Sequence, residues 1–161
     1  MLARIRACSR NHCRRSWQLQ KERQEKMRDL INLMEAVEAG CPPATQNIEL
    51  NLKNRQKAIE EYGYGPLNPN EPNEKFWNAK AEMWQLDDPE LAKTSLCGNC
   101  AAFDVSPDML DCIAKGIGAE DSSDPYDTID AGDLGYCKFL KFKCAAKRTC
   151  DAWVEGGPIA K

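Results

Sequence analysis

Histidine is nearly absent from this 161-residue sequence, and His12 is the single one. No Ser/His/Asp set and no paired carboxylates stand in its place, so hydrolysis has no machinery here and the chain reads as a non-enzyme. Net charge is scarce too. The 22 basic and 25 acidic side chains leave −3, so no global field draws the whole protein to nucleic acid or membrane. No apolar run approaches the roughly 18–20 residues that span a bilayer. The start, MLARIRACSRNHCRRSWQ, lacks an apolar stretch of secretory length and a twin-arginine-plus-apolar pattern. It is basic instead, with Arg4, Arg6, Arg10, Arg14 and Arg15 ahead of the first acid, Glu22. These absences predict a soluble protein without an export signal.

Cysteine is what the chain has in excess. There are nine, and six of them (Cys97, Cys100, Cys112, Cys137, Cys144 and Cys150) fall within 54 residues. A secreted disulfide framework would normally accompany a signal peptide, so the pattern favours a reducing compartment in which clustered thiols hold metal.

Along the chain, residues 1–16 read as a flexible basic tail, with Cys8, His12 and Cys13 incidental to it. From 17 to 39 the pattern is helical: Met27, Leu30, Ile31, Met34 and Val37 form one apolar stripe opposite charged residues. Gly40, Cys41, Pro42 and Pro43 stop it. A second helix is expected from Ile48 to Tyr62, with Leu52, Ile59 and Tyr62 on one side. The Gly, Pro and Asn residues of 63–73 then make an extended connector. Asn73 stands as N-cap to a third helix from about Glu74 to Gln85, whose Phe76, Trp77, Met83 and Trp84 read as core. Residues 17–94 thus form a helical region, and 95–161 a cysteine-rich domain. Within the latter, residues 117–134 carry Glu120, Asp121, Asp124, Asp127, Asp130 and Asp133 with no compensating base. Their spacing of three does not fit the alternating ligands of a calcium loop, so a solvated acidic insertion is expected.

Cys97-Gly98-Asn99-Cys100 is the sharpest motif. Two thiolates two residues apart can face one centre, and glycine permits the tight turn that aims backbone N–H groups at sulfur. A redox dithiol would sit in a βαβ setting, which is not evident here. Cys137, Cys144 and Cys150 follow within fourteen residues. Zinc and an iron–sulfur cluster both accept four thiolates. A zinc ribbon usually has a second close pair, which is missing, whereas a cluster tolerates scattered ligands and prefers dry, aromatic surroundings. Phe103, Tyr136, Phe139, Phe142 and Trp153 all lie within three residues of a cysteine. Lys138, Lys141, Lys143, Lys147 and Arg148 crowd the same stretch and would offset thiolate charge or form a solvated face.

CGNCAAF (97–103), GYCKF (135–139) and TCDAWV (149–154) together resemble the ligand segments of high-potential iron–sulfur proteins. In that family a short C-x-N-C precedes aromatics, and the last cysteine is followed by two residues and a tryptophan. The resemblance implies Cys97, Cys100, Cys137 and Cys150 as ligands of a [4Fe–4S] cluster, and electron transfer as the role. The 36 residues between Cys100 and Cys137 exceed the family's interval, so the acidic segment must loop out. Cys112 and Cys144 have no counterpart, and Cys112 stands as an alternative third ligand to Cys137. GPLNPNEPN and the GGPI ending are also similar to small cysteine-rich proteins of tailed bacteriophages, which implies a virion or infection-time accessory component.

The expected fold is a mainly α N-terminal region plus a small, irregular, metal-stabilised cysteine-rich C-terminal domain. The expected function is iron–sulfur cluster binding, for electron transfer or as a cluster-stabilised structural or accessory role. The alternative is a zinc-stabilised interaction or virion structural protein without redox function; a third is a disulfide-stapled exported protein. A protein partner is expected through the helical region, with neither nucleic acid nor membrane, in the cytoplasm or the virion.

Overall fold

The computed structural model describes residues 40–118 and 124–161, with Glu22 and Glu25 ahead of them. The basic tail over 1–16, the apolar stripe within 17–39, and Glu120 and Asp121 lie outside the described residues.

Pro43 at the first helical position opens a single turn, α1 (Pro43–Gln46). Asn47 then caps α2 (Ile48–Tyr62), its side-chain oxygen accepting from the Leu50 N–H at 2.9 Å. Gly63 closes that helix in the left-handed region at φ 54°, a conformation open to glycine at little cost. α3 (Glu74–Trp84) begins on Asn73, which accepts from Phe76 N–H at 3.3 Å. A short α4 (Pro89–Ala92) follows on an Asp88 cap. The second helix has the expected limits and the third ends one residue early.

The packed face of α2 differs from the expected one. Ile48 and Leu52 are 65% and 54% exposed, while Ala58 is fully buried. Asn51, Asn54 and Ala58 share the inward face, because polar bonds seat this helix. Asn54 Nδ2 donates to Lys141 O at 2.6 Å, and Lys143 N–H donates to Asn51 Oδ1 at 2.8 Å. The small Ala58 side chain permits that close approach. Of the residues expected inside, only Tyr62 joins the core, edge-on to Phe139 with centroids 5.8 Å apart.

Three short strands make an antiparallel sheet in the order β1 (Phe103–Asp104), β2 (Leu134–Cys137), β3 (Phe142–Ala145). Phe103 pairs with Cys137, and Tyr136 with Lys143. Side chains alternate across such a sheet, and here the alternation separates two cores. Phe103, Phe142 and Cys144 belong to a cysteine-lined core, which Cys137 packs against. Tyr136, with Leu134 against it, belongs to a second core under α5 (Pro107–Ile117) and α6 (Pro125–Gly132). A third cluster of Trp77, Ala81, Trp84 and Ala92 joins α3 to α4, with Trp153 packed against both this and the cysteine core.

Two expectations change. Cys112, left open by the sequence as a third ligand, is disulfide-bonded to Cys41 across 71 residues in the second core. The acidic segment is only partly a solvated loop. Its spacing of three is a helical period, in which Asp124 caps α6 and accepts from Tyr126 N–H at 2.9 Å. Asp127 and Asp130 face solvent while Ile129 is buried. Among the described residues no helix is long and apolar enough to cross a membrane.

Cys112→Ser should lower the unfolding free energy by about 2–4 kcal/mol, the usual worth of a bond closing a long loop. Chemical denaturation of the wild type with and without reductant checks this: reduction should reproduce the loss, and an unchanged midpoint would deny the bond a role.

Candidate metal centre

The segment 97–100 is held from three sides. Cys97 N–H donates to Arg148 O at 2.6 Å and Gly98 N–H to Ala146 O at 2.9 Å, which hangs the loop on the chain after β3. Cys100 N–H closes a 3₁₀ turn on Cys97 O at 2.9 Å. Asn99 organises the turn from within. Its Oδ1 accepts from Leu96 N–H at 3.1 Å, and its Nδ2 donates to Thr94 O at 2.8 Å. Trp153 Nε1 donates to the same Oδ1 at 2.9 Å and to Leu96 O at 3.0 Å, so the asparagine of the first motif and the tryptophan of the last are directly bonded.

The C-terminal segment closes over this turn. Ala101 N–H donates to Val154 O at 2.8 Å and Gly157 N–H to Asn99 O at 3.1 Å. A Cβ on Gly157 would stand 1.7 Å from the Cys100 carbonyl oxygen, so no other residue fits without moving that carbonyl. Thr149, fully buried, donates to Ser95 O at 2.5 Å. Beside Cys150, Asp151 pairs with the Lys80 ammonium of α3. Lys80 Nζ also donates to Gly63 O at 3.2 Å and lies 5.0 Å from the centroid of Phe76. That buried ion pair locks the last cysteine segment to the helical region.

Cys97, Cys100, Cys137 and Cys150, the four residues singled out in the sequence, line one small cavity of about 20 Å³. Cys144 lines it as well, so five thiols converge. The alternation Phe142–Lys143–Cys144, in–out–in, is the signal that could have found the fifth. Ala102, Phe103, Phe139, Ala152 and Trp153 complete the wall. Phe142 lies in the same core, but Tyr136, also expected near the cysteines, belongs to the second.

Four of the basic residues near the cysteines have partners of their own. Lys138 pairs with buried Asp104 at 3.3 Å and Lys147 with Asp133 at 2.8 Å. Lys143 reaches Thr45 O at 3.3 Å, and burial pulls its ammonium pKa down. The Arg148 guanidinium sits 5.3 Å from the Tyr64 ring centroid.

Backbone N–H groups take the place of cations around sulfur. Leu140 N–H donates to Cys137 Sγ at 3.3 Å, and Phe139 N–H also favours that thiolate. Val154 and Ala102 N–H groups act on Cys100 in the same way, and Ala152 N–H on Cys150. Burial works against them, favouring the neutral thiol. It drives the Cys137 pKa up to about 12, helped by the neighbouring Cys97 and Cys100. It raises Cys100, Cys150 and Cys144 as well, and Cys144 is further raised by its hydrogen bond with Cys97. Burial also raises the Tyr64 phenol, with Cys144 and Cys97 adding to it. This is a pocket of soft donors whose ionisation awaits positive charge.

Among the described residues no group of three or more Cys, His, Asp or Glu is arranged around a single metal ion. No protein-family model, curated protein or solved structure matches the chain.

In metal-free protein, the raised Cys137 value means that the fold favours the thiol form over the unfolded chain, whose value stays near 9.0. Stability is then full below about pH 9 and falls as pH climbs from about 9 toward about 12, because the unfolded state ionises first. Denaturant midpoints of chelator-treated protein should decline over that interval, and less so in Cys137→Ala. A second measurement concerns packing. Gly157→Ala should destabilise the chain by about 2 kcal/mol or more, the scale of overpacking in a tight site; thermal melts decide it, and a wild-type melting temperature would show that the segment yields freely.

Proposed function

We propose that this chain binds an iron–sulfur cluster, of the [4Fe–4S] kind, through Cys97, Cys100, Cys137 and Cys150, and works as a one-electron carrier. The observation that carries this reading is the five-thiol cavity with backbone N–H groups aimed at three of its sulfurs. A polynuclear iron core brings the positive charge that buried thiolates need. The high-potential iron–sulfur resemblance, though short, falls on the same four positions. Zinc, which also accepts four thiolates, is the second reading, since the second close cysteine pair of a zinc ribbon is missing from the sequence.

When bound, the cluster supplies a one-electron redox couple. The chain's own residues do the rest. Phe103, Phe139 and Trp153 exclude water, which sets the dielectric and thereby the potential. The N–H groups of Leu140, Ala102, Val154 and Ala152 stabilise negative charge on sulfur. Ligation across segments 97–100, 137 and 150 also joins distant parts of the chain, so the metal supports the fold that holds it. A carrier needs a protein partner, and the outward Ile48 and Leu52 of α2 support the helical region as the docking surface. The Cys41–Cys112 disulfide favours an oxidising compartment over the reducing one expected from cysteine pattern alone.

The test is anaerobic reconstitution with ferrous iron and sulfide, followed by metal and sulfide analysis and a visible spectrum. Brown protein with iron and acid-labile sulfide in equal amounts is expected. Cys100→Ser, Cys137→Ser and Cys150→Ser should each lose most of it, because hydroxyl is a poor ligand for a soft centre. Colourless protein that retains zinc through chelation would overturn the reading.

A further inference from the structure

A second cavity, of about 360 Å³, opens between the end of the connector, the first turns of α3 and the short α4. Its lining contains no cysteine and is dominated by carboxylates: Glu71, Glu74, Asp88 and Glu90 stand against the one cation, Lys93. That cation is already spent, because Lys93 Nζ pairs with Glu90 at 2.6 Å. Asp88 is partly spent too, with one oxygen accepting from the Glu90 N–H at 2.9 Å. Glu71 and Glu74 are exposed on the α3 side. The cleft therefore has a surplus of negative charge.

A second observation is independent of that charge. Trp77 lines the same cleft and is only 2% exposed, and its indole Nε1 has no hydrogen-bond partner among the described residues. A buried donor left unmatched is costly and uncommon. The indole N–H can only donate, so the partner it lacks is an acceptor.

One ligand chemistry answers both features. A bare divalent cation offers no acceptor, and no three carboxylates here are arranged around one ion. A saccharide offers acceptors, but the buried Trp77 presents it no open ring face, and its neutrality leaves the carboxylates unanswered. A peptide with an Arg or Lys side chain offers positive charge and a main-chain carbonyl together. We infer that this cleft binds a basic peptide segment of a partner protein, its cation set against Glu71 and Glu74 and a carbonyl oxygen accepting from Trp77 Nε1. The exposed glutamates move as the segment enters, which opens the path to the buried indole. Trp77 and Trp84 share an apolar cluster on which Trp153 packs, and Trp153 lines the cysteine cavity. A bound segment is thus linked through packed rings to the wall of that cavity. The site does not rest on the cluster reading and stands whether or not iron is bound.

The experiment uses the full chain, isotope-labelled and at low salt, and follows the indole N–H resonance of Trp77, assigned through bonds so that no variant is needed. Three probes are titrated: acetyl-Arg-Gly-Arg-amide, spermine, which has charge without a carbonyl, and acetyl-Gly-Gly-Gly-amide, which has carbonyls without charge. The arginine peptide should move the Trp77 signal saturably, and the other two should leave it in place. The Glu71→Gln, Glu74→Gln double variant, altered only at exposed positions, should bind the arginine peptide about three- to tenfold more weakly, the scale of two exposed ion pairs. Added salt should weaken wild-type binding in the same direction. An arginine peptide that causes no saturable shift would overturn the proposal. So would spermine or the glycine peptide moving the signal as far, since one half of the recognition would then be idle. Wild-type affinity in the double variant would place the cation elsewhere and overturn it as well.

Discussion

Burial of ionisable sulfur is the constraint on which the rest of this structure depends. Five thiols share one cavity, walled otherwise by Ala102, Phe103, Phe139, Ala152 and Trp153. A charged sulfur in such surroundings is costly, and several together more so. The fold meets that cost with backbone dipoles. The turn after Cys100, the hairpin loop after Cys137 and the turn after Cys150 each bend so that main-chain N–H groups face the preceding sulfur. The short turns that follow these three cysteines meet this requirement, because a helix would direct those N–H groups at carbonyls.

Loops of that kind carry little stability of their own, and polar clamps hold them instead. The Lys80–Asp151 pair, the Thr149 bond to Ser95 and the Trp153 bonds to Asn99 and Leu96 tie the cysteine segments to the helices or to one another. The expected division at about residue 95 is accordingly crossed by many contacts. Ala58 and Tyr64 from the helical side sit in the same core as the cysteines. Tyr64 packs edge-on against Phe142 at 5.0 Å and accepts from Ala145 N–H at 3.3 Å.

The two longest helices of the N-terminal part were legible from periodicity and end signals, whereas the Asp88 and Asp124 caps passed unread. Asn47, Gly63 and Asn73 mark the ends of α2 and α3 by local chemistry, which needs no knowledge of the rest of the chain. The four cysteines of the short motifs were legible as a group for the same reason. What escaped notice was set by distant partners. The inward face of α2 is chosen by Asn51 and Asn54 bonding to the β3 hairpin, not by Ile48, Leu52 or Ile59. The Cys41–Cys112 bond joins residues that no spacing rule connects. Cys144 belongs to no short loop motif, and its inward aim comes from strand alternation across two short hairpin arms.

The two faces of that small sheet carry a further consequence. Sulfur is oxidised to a disulfide in the core holding Tyr136 and present as thiol in the core beside Cys137, the next residue along the same strand. Cys97 and Cys100 moreover lie inside the stretch of chain that the Cys41–Cys112 bond encloses. During maturation a thiol that reached the wrong face would seal a mispaired loop around the very segment the cavity needs. The sheet therefore acts as a partition that keeps the disulfide and the soft-donor pocket apart.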